Sequence, residues 1–563
     1  MTSPFTPQLG TNYCPRDEEI LEIRDLLVEP LSRLKCIRNK ITDLQKSIDE
    51  LTKERDDINA YVDAHKALIS PVRRLPLDII QEIFVACLPT HRNCVMSAVE
   101  APVLLGRVCS SWRAISLNTP RLWCRLHIVE PASFGPRSAS FEEKLVQRLE
   151  TTKTWLGRSG NCPLSISLEG SPAFRPSGGI QPIQLPAGFP PLVPGAVLIP
   201  FASRWQNITL CASWMALEVL STLTEADVPR LRSMEINQRP DLMTPAMQWP
   251  TFTLFRAPNL TAFTFAGSQM DILDLPLQRE NLTYLSLMGH GWGVLSCRIA
   301  LEVLARCPRV QDCRLLVNED NSANNMPGAL PESSGRSLVE LPFLRSLQVT
   351  SLGLAPSGIG RLFSRLVVPA LRNFELRGRS NRGVEEPMFV DNFVMFLSTA
   401  LSFESFTVDT QLFTRESFAG ILGGLPTTTT RLSIQDRAVT RSGILGDDTI
   451  ALLIPTPEHP GSCPALKELR ILRCLSPSDA ELLRFITARM TLPARTLRSV
   501  DIQFNRERQV DITPDIQPYV DGGLKVSTSY LVNQIPQTFS PWQGLADAPQ
   551  TLGNLSLSQL QFA

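Results

Sequence analysis

The stretches "LRSLQV" at 344–349 and "LRNFEL" at 371–376 share one pattern, apolar-x-x-apolar-x-apolar. The last two apolar residues lie two apart, the period of a strand with one face turned inward. The pattern is also present as "LRSMEI" from 231, "LTAFTF" from 260, "LTYLSL" from 282 and "VQDCRL" from 310. Looser copies follow as "FESFTV" from 403, "TRLSI" from 430, "LKELRI" from 466 and "LRSVDI" from 497. Their starts are separated by very roughly thirty residues, the signature of stacked repeats that bury one continuous core. Helical stretches such as "RIALEVLARC" at 298–307 and "DAELLRFITARM" at 479–490 lie between copies and are long enough to cross back over a parallel sheet. The pattern therefore predicts an α/β solenoid over residues 201–515 with residues 516–563 as a cap or tail.

In this period the region resembles leucine-rich repeats of irregular length. Asn318, Cys474 and Asn505 fall where that family's Asn/Cys ladder would place them. The residue between the two inward positions of each strand is expected on the concave face. In chain order these are Glu235, Thr264, Ser286, Arg314, Gln348, Glu375, Thr407, Ser433, Arg470 and Asp501, a polar row of mixed charge expected of a solvated surface and equally of one that chooses a protein partner. Arg314, Gln348, Glu375, Arg377, Arg470 and Asp501 are the substrate-binding candidates. Arg361, Arg365, Arg372, Arg377, Arg379 and Arg382 form a local basic cluster that a phosphorylated or acidic segment would suit, with a solvated face balanced by Glu375, Glu385 and Glu386 as the plainer reading.

Upstream, Leu34, Ile37, Ile41, Leu44, Ile48, Leu51, Ile58 and Val62 alternate steps of three and four, a heptad seam interrupted by Arg55. One coiled-coil-like helix is expected over 17–70, after a disordered 1–16. Its seam is covered either by a second copy, giving a homodimer through 34–62, or by the chain's own helices.

The next segment, 71–129, contains "LPLDIIQEIF" from 75, "VCSSWRAIS" from 108 and "TPRLW" from 119. Pro76 suits the first position of a helix carrying Ile79, Ile80, Ile83 and Phe84 on one face, and Pro89 ends it. A second helix uses Leu104 to Ile115. These residues resemble the F-box, in particular the F-box-like proteins of mushroom-forming fungi. "CPALKEL" from 463 and "VPALRNF" from 368 are similar to the repeat openings found behind such F-boxes. The resemblance implies docking onto a Skp-type adaptor, and through it a cullin, by Leu75, Pro76, Ile80, Ile83, Phe84, Val108, Cys109 and Trp112. It also implies that the solenoid holds a protein substrate for ubiquitination. The alternative is a repeat scaffold whose F-box-like segment has ceased to bind the adaptor. Residues 130–200 are expected to hold a helix at 141–158 and a Pro/Gly-rich linker at 171–195.

Composition limits other readings. Lys+Arg and Asp+Glu both number 55, so no global field draws the chain to nucleic acid or an anionic membrane. There is no signal-like start and no apolar run of membrane-spanning length, so a cytoplasmic or nuclear protein is expected. The 13 cysteines include no CxxC, and "CLPTHRNC" from 87 offers Cys87, His91 and Cys94 without a fourth ligand, so neither metal nor cofactor is expected. No phosphate loop, dinucleotide fingerprint, HExxH or GxSxG is present, and the reading is of a non-catalytic binding protein.

Overall fold

Leu344, Leu347 and Val349, the three apolar positions of one copy, are all buried in the computed structural model. It describes residues 3–129, 139–170, 197–212, 217–238, 251–267, 272–289, 295–318, 338–352, 356–379, 388–436, 444–456, 461–493 and 495–530. The chain divides into two compact units, the first ending at Cys87 and the second beginning at Leu88.

In the second unit every copy supplies one strand of a single sheet. Among the described residues the sheet has fifteen strands, fourteen of them paired in strict chain order from Arg125–Val129 to Lys525–Ser529. All these pairings are parallel. The architecture is thus the expected α/β solenoid of leucine-rich-repeat type, preceded by a long helix. The first apolar position of each copy, including Leu231, Leu260, Leu282, Leu371, Phe403, Leu466 and Leu497, forms one buried column, and the two strand positions form two more. Thr429 takes the leucine place in the "TRLSI" copy, where its hydroxyl donates to the Pro426 carbonyl at 2.6 Å.

The residue after that first position fixes the register. Its carbonyl accepts two successive amides of the next repeat: Arg345 from Arg372 and Asn373, both at 2.9 Å, and Glu404 from Thr430 at 2.8 Å and Arg431 at 3.0 Å. A backbone fork at the mouth of each strand repeats along the sheet, at Arg232, Thr283, Arg372, Thr430 and Lys467 among others.

Crossovers change character along the chain. After a first crossover by helix Ala139–Arg158, short 3-10 turns serve the next repeats (Ile199–Arg204, Glu218–Thr222, Thr253–Arg256), whereas helices Cys297–Ala305, Pro356–Phe363, Met388–Ser398, Arg415–Gly423 and Asp479–Thr491 serve later ones. Phe363, Phe374, Phe393 and Phe396 pack between helix and sheet with centroids 5.0–6.4 Å apart, the spacing of favourable edge and offset ring pairs. Loop carbonyls are met by arginines. Arg489 is fully buried and donates to the carbonyls of Leu453 at 2.6 and 2.9 Å, Cys463 at 3.0 Å and Ser462 at 2.7 Å. Arg279, half-buried, donates to the carbonyls of Ile272, Leu273 and Leu275.

Several boundaries differ from expectation. The sheet begins at Arg125, inside the segment expected to be the F-box-like module, and includes Leu164–Glu169, between the helix expected at 141–158 and the linker expected at 171–195. "LSISLE" alternates as a strand should, but it lacks the leading leucine that marks the other copies. The sheet also runs past 515, through helix Thr513–Asp521 to Ser529. The helix expected at 141–158 is Ala139–Arg158. Residues 3–16, expected to be disordered, include a turn at Thr6–Gln8 and a cap in which Glu19 accepts from the Arg16 amide at 2.8 Å. The Pro/Gly-rich tract at 171–195 and the tail beyond 530 lie outside the described residues.

The sheet's C-terminal end is held by Asp479. Its buried carboxylate pairs with Arg506 at 2.7 Å and accepts from the amides of Gln509 at 2.7 Å and Val510 at 2.9 Å and from Tyr530 Oη at 3.1 Å. Burial works against its ionised form, but the bonds from Arg506, Val510 and Gln509 outweigh it and hold the carboxyl below its usual range. A depressed acid stabilises the fold above its unfolded pKa and loses that contribution as pH falls through its folded value. Urea titrations across pH 2–5 should therefore show a steeper acid loss for wild type than for Asp479→Asn. Arg489→Met, which strands several buried carbonyls, should cost about 3 kcal/mol or more in the same assay at pH 7.

Candidate protein-binding face and the helices at 77–86 and 105–117

Strand residues that alternate with the buried columns lie on the other side of the sheet, and the parallel register aligns them. Glu235 pairs with Thr264, then Ser286, Arg314, Gln348, Glu375, Thr407, Ser433, Arg470 and Asp501 follow, each directly opposite the next. All ten residues of the expected row thus form one line. The line continues to His127, Ser167 and Thr209 at one end and Ser527 at the other. Arg377 lies one row along, beside Thr350. Ser286 is buried, Gln348, Glu375 and Asp501 are half-buried, and Arg314, Arg377 and Arg470 are exposed.

Charge is uneven along this face. The first strands present Ser165, Ser167, Asn207, Thr209 and Ser233 beside Arg125, Glu169 and Glu235. The later ones carry ion pairs: Arg377 with Glu375, Arg470 with Asp501 at 3.1 Å, and Glu404 with both Arg372 at 3.6 Å and Arg431 at 3.8 Å. Arg431 also donates to Asn373 Oδ1 at 3.1 Å, and the Arg314 guanidinium stands 6.0 Å from the Tyr284 ring centre. Of the Arg372–Glu404–Arg431 group, the sequence pattern marks only Arg372, as a member of the basic cluster, because the group sits partly at the mouth of the strands, outside the alternating positions. Of the basic cluster, Arg361, Arg365, Arg372 and Arg377 are exposed. The side chains of Arg379, Arg382, Glu385 and Glu386 lie outside the described residues. Gly378 lets the end of this strand approach its neighbour: φ is +144°, and a Cβ there would run into the Ser351 carbonyl.

The expected adaptor-binding residues fall on both units, which are taken in turn. In the first, Pro76 caps helix Leu77–Ala86 instead of opening it, after a 3-10 turn at Pro71–Arg74. Ile80 and Phe84 are buried and Leu75 half-buried, whereas Pro76, Leu77, Ile79 and Ile83 are exposed. In the second unit the single expected helix is two, Leu105–Val108 and Ser110–Leu117. Cys109 is extended between them and its Sγ accepts from the Trp112 amide at 3.4 Å, so it caps the second. Val108 and Cys109 are exposed and Trp112 half-buried. Trp123 is buried, donates to the Ser116 carbonyl at 2.8 Å and meets Trp155 edge-on at 4.8 Å.

The long loop before these helices lies along the first strand. His127 N donates to the Cys94 carbonyl at 2.7 Å, and Arg125 donates to the carbonyls of Pro89 at 2.8 Å and Arg92 at 2.6 Å. The loop thereby covers the sheet's leading edge. Cys94 is buried there and its thiol is pushed up to about 11 by burial. Among the described residues no His, Cys, Asp and Glu side chains gather into a metal site, no disulfide joins the cysteines, and no helix is long and apolar enough to cross a membrane.

No family model matches the chain, and no curated protein does. Among solved structures it is similar to the complex of Rad7 and Elc1 in yeast (13% identity, 49% of this chain and 72% of that chain, TM-score 0.27). It is also similar to the leucine-rich repeat-containing protein LegL7 from Legionella pneumophila (12%, 61% and 98%, TM-score 0.31) and to the TLR13–ssRNA13 complex (11%, 58% and 45%, TM-score 0.28).

Ion pairs as exposed as these contribute little to folding. Arg470→Ala should change unfolding free energy by less than about 1 kcal/mol in chemical denaturation, leaving that side chain available to a partner.

Proposed function

We propose that this chain is a non-catalytic substrate receptor of a cullin-based ubiquitin ligase, working in the cytoplasm or nucleus. The helix at 77–86 would engage a Skp-type adaptor, and the polar face of the sheet would hold a protein substrate. The observation that carries the reading is the exposed apolar group Pro76, Leu77, Ile79 and Ile83, set within the F-box-like "LPLDIIQEIF". A helix of ten residues that turns three large aliphatic side chains to solvent has surface suited to a partner. Val108 and Cys109 offer further exposed surface among the residues the resemblance implicates, while Ile80 and Phe84 would support the helix from beneath.

Catalysis in such a complex comes from proximity. A receptor that fixes substrate near a ubiquitin-charged partner raises effective concentration without contributing a reacting group. The face of the sheet suits the substrate half of the task, because several of its charges, Arg431 with Glu404 and Arg470 with Asp501 among them, sit in exposed, readily exchanged ion pairs.

Co-expression with a Skp-type adaptor tests the first half. Wild type should retain the adaptor through affinity purification and gel filtration, and Ile79→Asp/Ile83→Asp should lose it. Both side chains are exposed, so the variant's melting temperature should stay close to wild type. A folded wild type that retains no adaptor would leave a repeat scaffold and remove the ligase reading.

A further inference from the structure

The helix Asp17–Leu68 runs unbroken for 52 residues, and every residue from Leu31 to Lys66 is exposed in the chain by itself. Its heptad seam extends beyond the 34–62 stretch, through Leu27, Ile23 and Ile20 toward the N-terminus. Eight seam residues between Leu34 and Val62 are exposed, six of them by about half or more. An apolar stripe of this length in water needs a complement of the same length and period.

We infer that the complement is a second copy of the same helix, running antiparallel in the register that sets Asp17 of one copy beside Leu68 of the other, so that the two helices overlap throughout. Charge selects this arrangement. At its centre Ile41 packs on Leu44 of the second copy, then Ile37 on Ile48 and Leu34 on Leu51. The flanking positions bring Arg33 to Glu54 of the second copy and Asp17 to Lys66, each pair formed twice by the two-fold axis. No like charges face each other across these flanks.

Other arrangements do worse. A parallel dimer stacks Arg55 on Arg55 inside the seam and sets Arg33 against Arg38. Sliding the antiparallel pair by one heptad brings Lys40 to Lys40 and Arg38 to Arg38 in one direction, and Arg24 to Lys66 in the other. The chosen register also gives the two irregular seam residues to each other: Arg55 of one copy lies opposite Pro30 of the second. Proline has no amide to offer the carbonyl of Leu26, one turn earlier, and a guanidinium beside it can donate there instead.

The inference does not rest on the ligase reading. Sedimentation equilibrium of the full chain should give twice 62.5 kDa at low micromolar concentration. Ile48→Asp should raise the dissociation constant by about a hundredfold or more, because each copy buries a charge. Ile48 is 54% exposed in the single chain, so an unchanged circular dichroism spectrum is expected and would separate lost dimer from lost fold. Orientation is read by oxidation in a background with Cys14 and Cys36 replaced by serine. A mixture of Ile41→Cys and Leu44→Cys chains should cross-link, and neither alone should. A monomer at every concentration, or efficient cross-linking of Leu44→Cys with itself, would overturn the proposal.

Discussion

Each repeat turns three apolar side chains into a space that only its neighbour closes. Leu371, Phe374 and Leu376 of one copy lie between the equivalent residues of the copies before and after, and all three are buried. No repeat can satisfy its apolar edge alone, so the stack is the smallest stable object and its two ends are the places where the arrangement must be stopped. At the leading end, the loop from Pro89 to Val95 supplies backbone to the first strand. At the trailing end, Asp479 gathers Arg506, two amides and Tyr530, and the guanidinium of Arg506 stands over Phe504 at 4.1 Å.

Arginine does two different kinds of work in this molecule. In crossovers, fully buried Arg489 and half-buried Arg279 spend their guanidinium on loop carbonyls, where planar geometry with several fixed donors answers several acceptors at once. On the sheet's polar side, Arg372, Arg431 and Arg470 sit in solvent beside carboxylates that a partner could displace. Identity of residue therefore says little here, and depth says most.

The repeat register was legible in the sequence because its physics is local. A period of two fixes which side of a strand each residue faces, and similar copies align those residues across strands, so Glu235 through Asp501 could be read as a line. Less was legible where the pattern is carried by one element only. "LSISLE" has the alternation without the leading leucine, and "RLHIV" at 125–129 follows the F-box-like pattern with no break to set it apart. The break at Cys109 turns on one extended residue inside an otherwise helical pattern. Burial of Ile80 and Phe84 beside exposed Ile79 and Ile83 follows from which side of a short helix is covered, a tertiary fact that one amphipathic turn leaves undecided. The ion-pair group around Glu404 joins residues some thirty positions apart and is set by the strand mouths.

Strict agreement between strand order and chain order has a consequence for how the protein is made. Along the fourteen-strand path every strand after the first pairs with one already synthesised, so no emerging segment of that path waits for a distant partner. At about 5–20 residues per second, a ribosome would deliver a thirty-residue repeat every few seconds, far longer than a crossover helix or strand needs to dock. Growth of the sheet can keep pace with translation, leaving only the newest edge uncovered at any moment until Tyr530 reaches Asp479.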